Sequence, residues 1–133
     1  MSRSNYSDDL DNWAIIRWRG AVDRALLGAR GQAFLKEMLL AMDAMPSKRL
    51  IAEELIRDGE VCGLGVVGQA RGIEMGELDP YDAEVLADLF GIAPAMVREI
   101  EAENDDVWRH DTPEQRFLRM REWVMLNIGK EQP

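Results

Sequence analysis

The sequence has one cysteine, one histidine and no long apolar run among its 133 residues. A single cysteine excludes an internal disulfide, so we expect Cys62 to be a buried packing residue. The uncharged apolar runs are far too short to span a bilayer, and the first residues, MSRSNYSDDLDN, lack the apolar region of a signal peptide. We therefore expect a cytoplasmic protein that does not enter a membrane.

Clusters of catalytic or metal-ligating side chains are missing from the sequence as well. His110 has no histidine or cysteine at ligand spacing, and the acidic residues at 101–106 lack the glycine-containing loop of a calcium site. We expect no metal ion and no cofactor. A small enzyme that pairs Cys62 with His110 ranks only third among the hypotheses, because apolar neighbours raise the pKa of a thiol and leave it unreactive.

The stretch at residues 58–72, DGEVCGLGVVGQARG, has small or apolar residues on every side. This pattern is typical of a buried element, and we predict a central helix at about residues 60–71. Three of its glycines match the G-x-G-x-x-G spacing of a dinucleotide site, but Asp58 and Gly59 stand where that site requires a strand. We instead predict that the following glycines allow close approach of a neighbouring helix: Gly65, Gly68 and Gly72.

Apolar residues at spacings of three and four predict helices on both sides of this stretch. The helices are expected at about residues 12–27, 31–45, 80–90, 94–103 and 113–129. Gly28 and Gly31 bracket a tight connection, Asp79-Pro80 predicts an N-cap, and TPEQ at 112–115 is a capping box. Residues 49–57 are predicted to be extended and are short enough for a strand pair.

These elements predict a mostly α-helical fold. We expect a compact single-domain bundle of about five or six helices around the buried glycine-rich helix, with one short strand pair near residues 49–57. The domain is predicted at residues 12–129. A flexible N-terminal segment at 1–11 and a tail at 130–133 flank it.

Charge is distributed unevenly along the chain, whose net charge is −9. Residues 74–106 contain eleven acidic residues and one basic residue, whereas residues 11–36 contain five basic and two acidic residues. This asymmetry predicts two oppositely charged surfaces that select a macromolecular partner. The predicted partner-binding surface comprises Glu99, Glu101, Asp105 and Asp106. The secondary basic surface comprises Arg17, Arg19, Arg24 and Arg30.

Residues 86–100 match the packing pattern of a helix-turn-helix, with Gly91 at the turn. Binding to DNA needs positive charge on the second helix, but this region is strongly acidic and would repel phosphates. A nucleic-acid-binding regulator is therefore only the alternative hypothesis, with either this unit or the surface of Arg17, Arg19, Arg24 and Arg30 as its binding site. A helical hairpin that serves only as scaffold is the simpler interpretation of the pattern.

Several segments resemble small uncharacterised proteins of phages, prophages and bacteria. They are RGQAFLKEML at 30–39, KRLIAEEL at 48–55, GEVCGLGVVGQARGIEM at 59–75, LFGIA at 89–93, EI at 99–100, END at 103–105 and TPEQRFLRMREWV at 112–124. More loosely, G-x-V-C-x-L-G with Asn104-Asp105 and a threonine-capped last helix resembles a wider family of small bacterial domains of unknown function. The resemblance implies no activity, but it favours an accessory protein that binds host machinery.

The preferred hypothesis is a non-enzymatic, cytoplasmic accessory protein of the phage type. We expect it to bind a macromolecular partner, a basic host protein, through its acidic surface. DNA and membranes are not expected partners, and a homo-oligomer remains open.

Overall fold

The computed structural model describes residues 9–106 and 110–129. Within these ranges the chain forms six helices and one pair of short strands. In order they are α1 (Asp9–Leu27), α2 (Ala29–Ala44), β1 (Ile56–Arg57), β2 (Glu60–Val61), α3 (Gly63–Ala70), α4 (Ala83–Phe90), α5 (Pro94–Asn104) and α6 (Pro113–Asn127). The predicted mostly α-helical class with one strand pair is confirmed. The tail and most of the N-terminal segment lie outside the described residues, and α1 already begins at Asp9.

Helix α3 lies at the centre of the fold. It packs against both α2 and α5, and every residue from Gly63 to Gly68 is buried. Leu64 and Val67 are completely enclosed. The prediction of a buried, glycine-rich central helix is confirmed.

The start of α3 differs from the prediction, because a hairpin occupies the residues before it. Strands β1 and β2 are antiparallel, with Ile56 opposite Val61. The two turn residues, Asp58 and Gly59, have φ values of +53° and +80°. A two-residue turn with both φ values positive strongly favours the pair Asp-Gly. The helix predicted from residue 60 therefore begins at Gly63, and the strand pair lies at 56–61 rather than within 49–57.

The close contacts of the α3 glycines also differ from the prediction. A Cβ atom on Gly65 would lie 2.2 Å from the carbonyl oxygen of Leu55, and one on Gly68 would lie 2.4 Å from the sulfur of Met75. These neighbours belong to the segments before β1 and after α3, not to a helix. A Cβ atom on Gly72 would meet no atom of the described residues within 4 Å, and Gly72 has a left-handed φ of +73°. Two helices instead approach Gly63, where a Cβ atom would lie 2.9 Å from the end of Met38 in α2 and 3.2 Å from the end of Met120 in α6.

Helix α4 begins at Ala83, three residues after the start predicted at about residue 80. Asp82 caps it by accepting a hydrogen bond from the backbone N–H of Val85 at 3.2 Å. The predicted cap, Asp79, instead accepts from the N–H of Tyr81 and forms a turn. The helix ends as predicted, with Gly91 in the left-handed conformation.

The other helix ends are a mixture of confirmed and corrected predictions. The capping box of α6 is present, with reciprocal hydrogen bonds between Thr112 and Gln115. The connection between α1 and α2 is shorter than the predicted one, which extended from Gly28 to Gly31, because only Gly28 separates the two helices. Gly31 lies inside α2, where its Cβ position is 1.8 Å from the carbonyl oxygen of Ala25. Because a side chain would not fit at this position, glycine allows α1 and α2 to approach this closely at their junction.

Replacing Gly65 by alanine should destabilise the fold more than the same change at Gly68. The new methyl group of Gly65→Ala meets the backbone of Leu55, which cannot move away easily, so we expect a loss of about 2–3 kcal/mol in the free energy of unfolding. In Gly68→Ala the neighbour is the flexible end of Met75, and the loss should stay below about 1 kcal/mol. Urea denaturation of both variants measures the difference. Equal stabilities would contradict the packing described for α3.

Candidate functional site

Asn104, the last residue of α5, joins three segments of the chain. Its side chain is buried, and its Oδ1 accepts a hydrogen bond from the backbone N–H of Gly63 at 3.0 Å. Its Nδ2 donates to the carbonyl of Ile51 at 2.9 Å and to the carboxylate of Asp105 at 2.8 Å. The same Asp105 oxygen accepts from the backbone N–H of Glu53 at 2.9 Å. The end of α5 is thereby held against the start of α3 and the segment before β1.

Two arginines of α6 complete this junction. Arg116 donates to the backbone carbonyls of Asn104 at 2.9 Å and Leu50 at 3.3 Å. Arg119 donates to the Asn104 carbonyl at 3.3 Å and forms a 2.6 Å ion pair with Asp111. The last carbonyls of a helix have no partner within the helix and attract cations. The two guanidinium groups therefore stabilise the C-terminal end of α5.

A small cleft, which we call the Tyr81 cleft, opens beside this junction. Its lining residues are Glu53, Glu54, Leu55, Cys62, Leu64, Pro80, Tyr81, Ile100, Glu101, Asn104 and Asp105. The cleft is partly open to solvent, and its space of about 10 Å³ is enough for one water-sized group. Tyr81 is 68% exposed and stands at its edge.

Carboxylates dominate the electrostatics of the Tyr81 cleft. The pKa of Glu101 is raised to about 7, mainly by burial and also by the nearby Asp105 carboxylate, while Arg98 opposes the shift. Burial also raises the pKa of Tyr81, and so do the charges of Asp105 and Glu53. Among the described residues that line the cleft, none is a lysine or arginine. A positively charged group placed there would be attracted by several carboxylates at once.

Cys62 lies at the bottom of this region as the N-cap of α3. Its sulfur accepts a hydrogen bond from the backbone N–H of Gly65 at 3.4 Å. Burial raises the pKa of the thiol to about 12, in the direction that the apolar neighbours predicted. His110 is exposed in the loop before α6 and has a positive φ of +52°. A thiol that stays protonated at neutral pH is a poor nucleophile.

Only part of the predicted acidic surface is accessible to solvent. Glu99 is 4% exposed, and its carboxylate lies 3.6 Å from the guanidinium of Arg19. Its prediction as an exposed partner-binding residue is wrong, because α1 packs against α5 and covers it. Asp105 and Asp106 are half-buried, and Asp105 serves the Asn104 junction. Glu101, also half-buried, faces the Tyr81 cleft.

The predicted basic surface has three exposed members, Arg17, Arg24 and Arg30. Arg24 and Arg30 border a groove of about 310 Å³ at the junction of α1 and α2. Arg19 differs from the others, because it pairs with Asp23 at 3.4 Å as well as with Glu99. The two oppositely charged regions of the sequence therefore meet at the contact between α1 and α5.

The helix-turn-helix pattern is present as packing but leaves its second helix little free surface. The predicted packing positions Leu86, Phe90 and Ile100 are buried as expected. The second helix, α5, packs against α1, α3, α4 and α6. A recognition helix must offer a face to the major groove. The packing of α5 therefore argues against reading DNA in this way.

Sequence reasoning missed two contributors to the site. Tyr81 carries the clearest available signal, since it is an aromatic residue within the acidic region. Glu53 lies in a segment without regular structure and reaches the cleft only through contacts distant in sequence. Asn104 was singled out by the resemblance to bacterial domains, and the structure gives that residue a structural role.

The chain matches no protein-family model, and comparisons with curated proteins and with solved structures found no match. The resemblance to phage and bacterial proteins therefore stays a prediction. Within residues 9–106 and 110–129, no helix has the length and apolar character needed to cross a membrane. The same ranges contain no group of three or more His, Cys, Asp or Glu side chains placed to hold a metal ion.

Replacing Asn104 by alanine should destabilise the fold strongly. The variant leaves the buried N–H of Gly63 and the carbonyl of Ile51 without their partners, and we expect a loss of about 2–4 kcal/mol in the free energy of unfolding. Asn127→Ala is the matched control, because Asn127 also donates one side-chain hydrogen bond to a backbone carbonyl but is only partly buried. Its loss should stay below about 1 kcal/mol. Similar unfolding curves for both variants would contradict the role of the junction.

Replacing Glu101 by glutamine should change how stability depends on pH. The pKa of Glu101 rises from 4.5 to about 7 on folding, so its contribution to stability is complete below pH 4.5 and is lost as the pH rises through 7. Glu101→Gln should therefore match the wild type at pH 4 and exceed it at pH 8 by about 1 kcal/mol, after allowance for solvent screening. Thermal unfolding at both pH values tests this. A variant that is less stable at pH 8 would show that the ionised carboxylate is favoured.

Proposed function

We propose that this chain is a non-enzymatic binding protein whose Tyr81 cleft receives the terminal ammonium group of a lysine on a partner protein. The lining of the cleft carries the proposal, because four acidic residues lie beside an exposed tyrosine ring. An ammonium group is attracted both by carboxylates and by the face of an aromatic ring. A space of about 10 Å³ suits a compact ammonium group better than a planar guanidinium.

The position of Glu101 supports a cationic ligand. Its carboxyl group lies where burial and the neighbouring Asp105 both disfavour the ionised form. A bound cation would favour that form and would therefore lower the pKa of Glu101. Binding would then release a proton near neutral pH, and the affinity would rise as the pH increases through 7.

The overall charge supports a basic partner. The net charge of −9, concentrated in residues 74–106, would speed the encounter with a basic protein and slow the encounter with nucleic acid. In agreement with the resemblance to phage and bacterial accessory proteins, we place this binding in the cytoplasm of a host cell. The regulator and the thiol enzyme have less support, because α5 is enclosed by other helices and the Cys62 thiol is protonated at neutral pH.

The test is a titration with a fluorescently labelled oligolysine peptide at pH 6 and pH 8. The lysines stay charged over this range, so we expect an affinity increase of up to about ten-fold that comes from Glu101. Glu101→Gln should remove this pH dependence. Glu122→Gln is the matched control, because it deletes one exposed acidic charge on α6 and should preserve the pH dependence.

A second peptide, in which every lysine is acetylated, controls for the charge of the ligand. It should bind at least about ten-fold more weakly, because acetylation removes the ammonium group. Equal binding of both peptides would contradict the proposed function. A pH dependence that survives in Glu101→Gln would place the binding site elsewhere on the molecule.

A further inference from the structure

Helix α4 exposes two apolar side chains on its outer face. Val85 is 48% exposed and Leu89 is 37% exposed, and because they are four residues apart they lie next to each other on the helix surface. The opposite face of α4 already supplies the core contacts, through Ala83, Leu86, Ala87 and Phe90. The outer face of a helix packed in this way is normally polar. The packing of this fold does not account for the strip formed by Val85 and Leu89, which we call the α4 strip.

Acidic residues flank the α4 strip. Residues 77–88 contain five acidic residues and no basic residue. Glu84 and Asp88, which adjoin the strip in sequence, are both exposed. Arg98 of α5 lies 3.9 Å from the Glu84 carboxylate, but both side chains are more than half exposed and the pair is weak. The strip is therefore an apolar surface with negative charge around it.

This charge pattern distinguishes among the possible occupants of the strip. A second copy of the chain would bring two acidic regions together, and like charges opposed across an interface weaken it. Nucleic acids and anionic membrane surfaces are negatively charged and would be repelled as well. A segment with apolar residues and flanking lysines or arginines complements both features of the strip.

We propose that the α4 strip docks an amphipathic basic helix of the partner protein. Side chains such as leucine would lie against Val85 and Leu89, and lysines beside them would lie near Glu84 and Asp88. Ridges of side chains four residues apart are the usual contacts between packed helices, and amphipathic helices bind such surfaces through apolar anchors. The inference rests on the proposed function, and it adds the secondary structure of the partner segment and a second contact surface.

The experiment compares two synthetic peptides of leucine and lysine with identical composition and a length of about four helical turns. One places leucine at helical spacing, and the other alternates leucine and lysine as in a β-strand. We expect the helical pattern to bind at least about ten-fold more tightly and to gain helicity on binding. Equal affinity for the two patterns would overturn the inference.

Protein variants locate the contact. The double variant Val85→Ser/Leu89→Ser should weaken binding of the helical peptide at least about ten-fold without altering the charge of the protein. Leu118→Ser/Met125→Ser removes a similar exposed apolar pair from α6 and should leave the affinity unchanged. An effect of the α6 variant equal to that of the α4 variant would overturn the docking site.

Failure of the proposed function has a different signature. The double variant of the α4 strip should not change the binding of oligolysine, which has no apolar side chain to place there. If oligolysine binds as proposed but the α4 variant binds the helical peptide as tightly as the wild type, only the helix-docking inference is refuted. If oligolysine fails to bind, or if the pH dependence of its affinity is the same in Glu101→Gln as in the wild type, the Tyr81 cleft is not a lysine site.

Discussion

The three hydrogen bonds of the buried Asn104 side chain are the constraint on which the rest of this structure depends. They hold α5, the start of α3 and the segment before β1 in one arrangement. Because the amide is buried, the N–H of Gly63 and the carbonyl of Ile51 would have no partner if the side chain were removed. Arg116 and Arg119 add hydrogen bonds to the carbonyl of the same residue. The junction thus connects the central helix to the last one and forms the wall of the Tyr81 cleft.

The same junction sets the electrostatics of the cleft. It places Glu101 and Asp105 one turn apart at the C-terminal end of α5, where the helix dipole disfavours negative charge. Asp105 accepts hydrogen bonds from the backbone N–H of Glu53 and from the side chain of Asn104. Burial and the repulsion by Asp105 together raise the pKa of Glu101. A bound ammonium group would relieve the same repulsion. Structural stability and the proposed binding therefore depend on one set of carboxylates.

Local signals in the sequence predicted much of the fold, but they could not predict the site. The capping box at Thr112 and the left-handed Gly91 depend on adjacent residues, and both are confirmed. Asp58-Gly59 was an equally local hairpin signal, and starting the predicted helix at about residue 60 overlooked the strand that follows it. The burial of Glu99 and the approach of Glu53 to the cleft depend on contacts with distant segments. A run of acidic residues does not reveal which of its members another helix covers.

Glu101 lies in a cleft that disfavours its ionised form. In the proposed complex, a lysine ammonium group favours the ionised form instead. Carbon-13 NMR of the Glu101 carboxyl group during a pH titration measures its titration midpoint directly, with and without oligolysine. We expect a midpoint of about 7 for the free protein and a lower midpoint with the peptide bound. A midpoint near the ordinary value of 4.5 in the free protein, unchanged by the peptide, would contradict it.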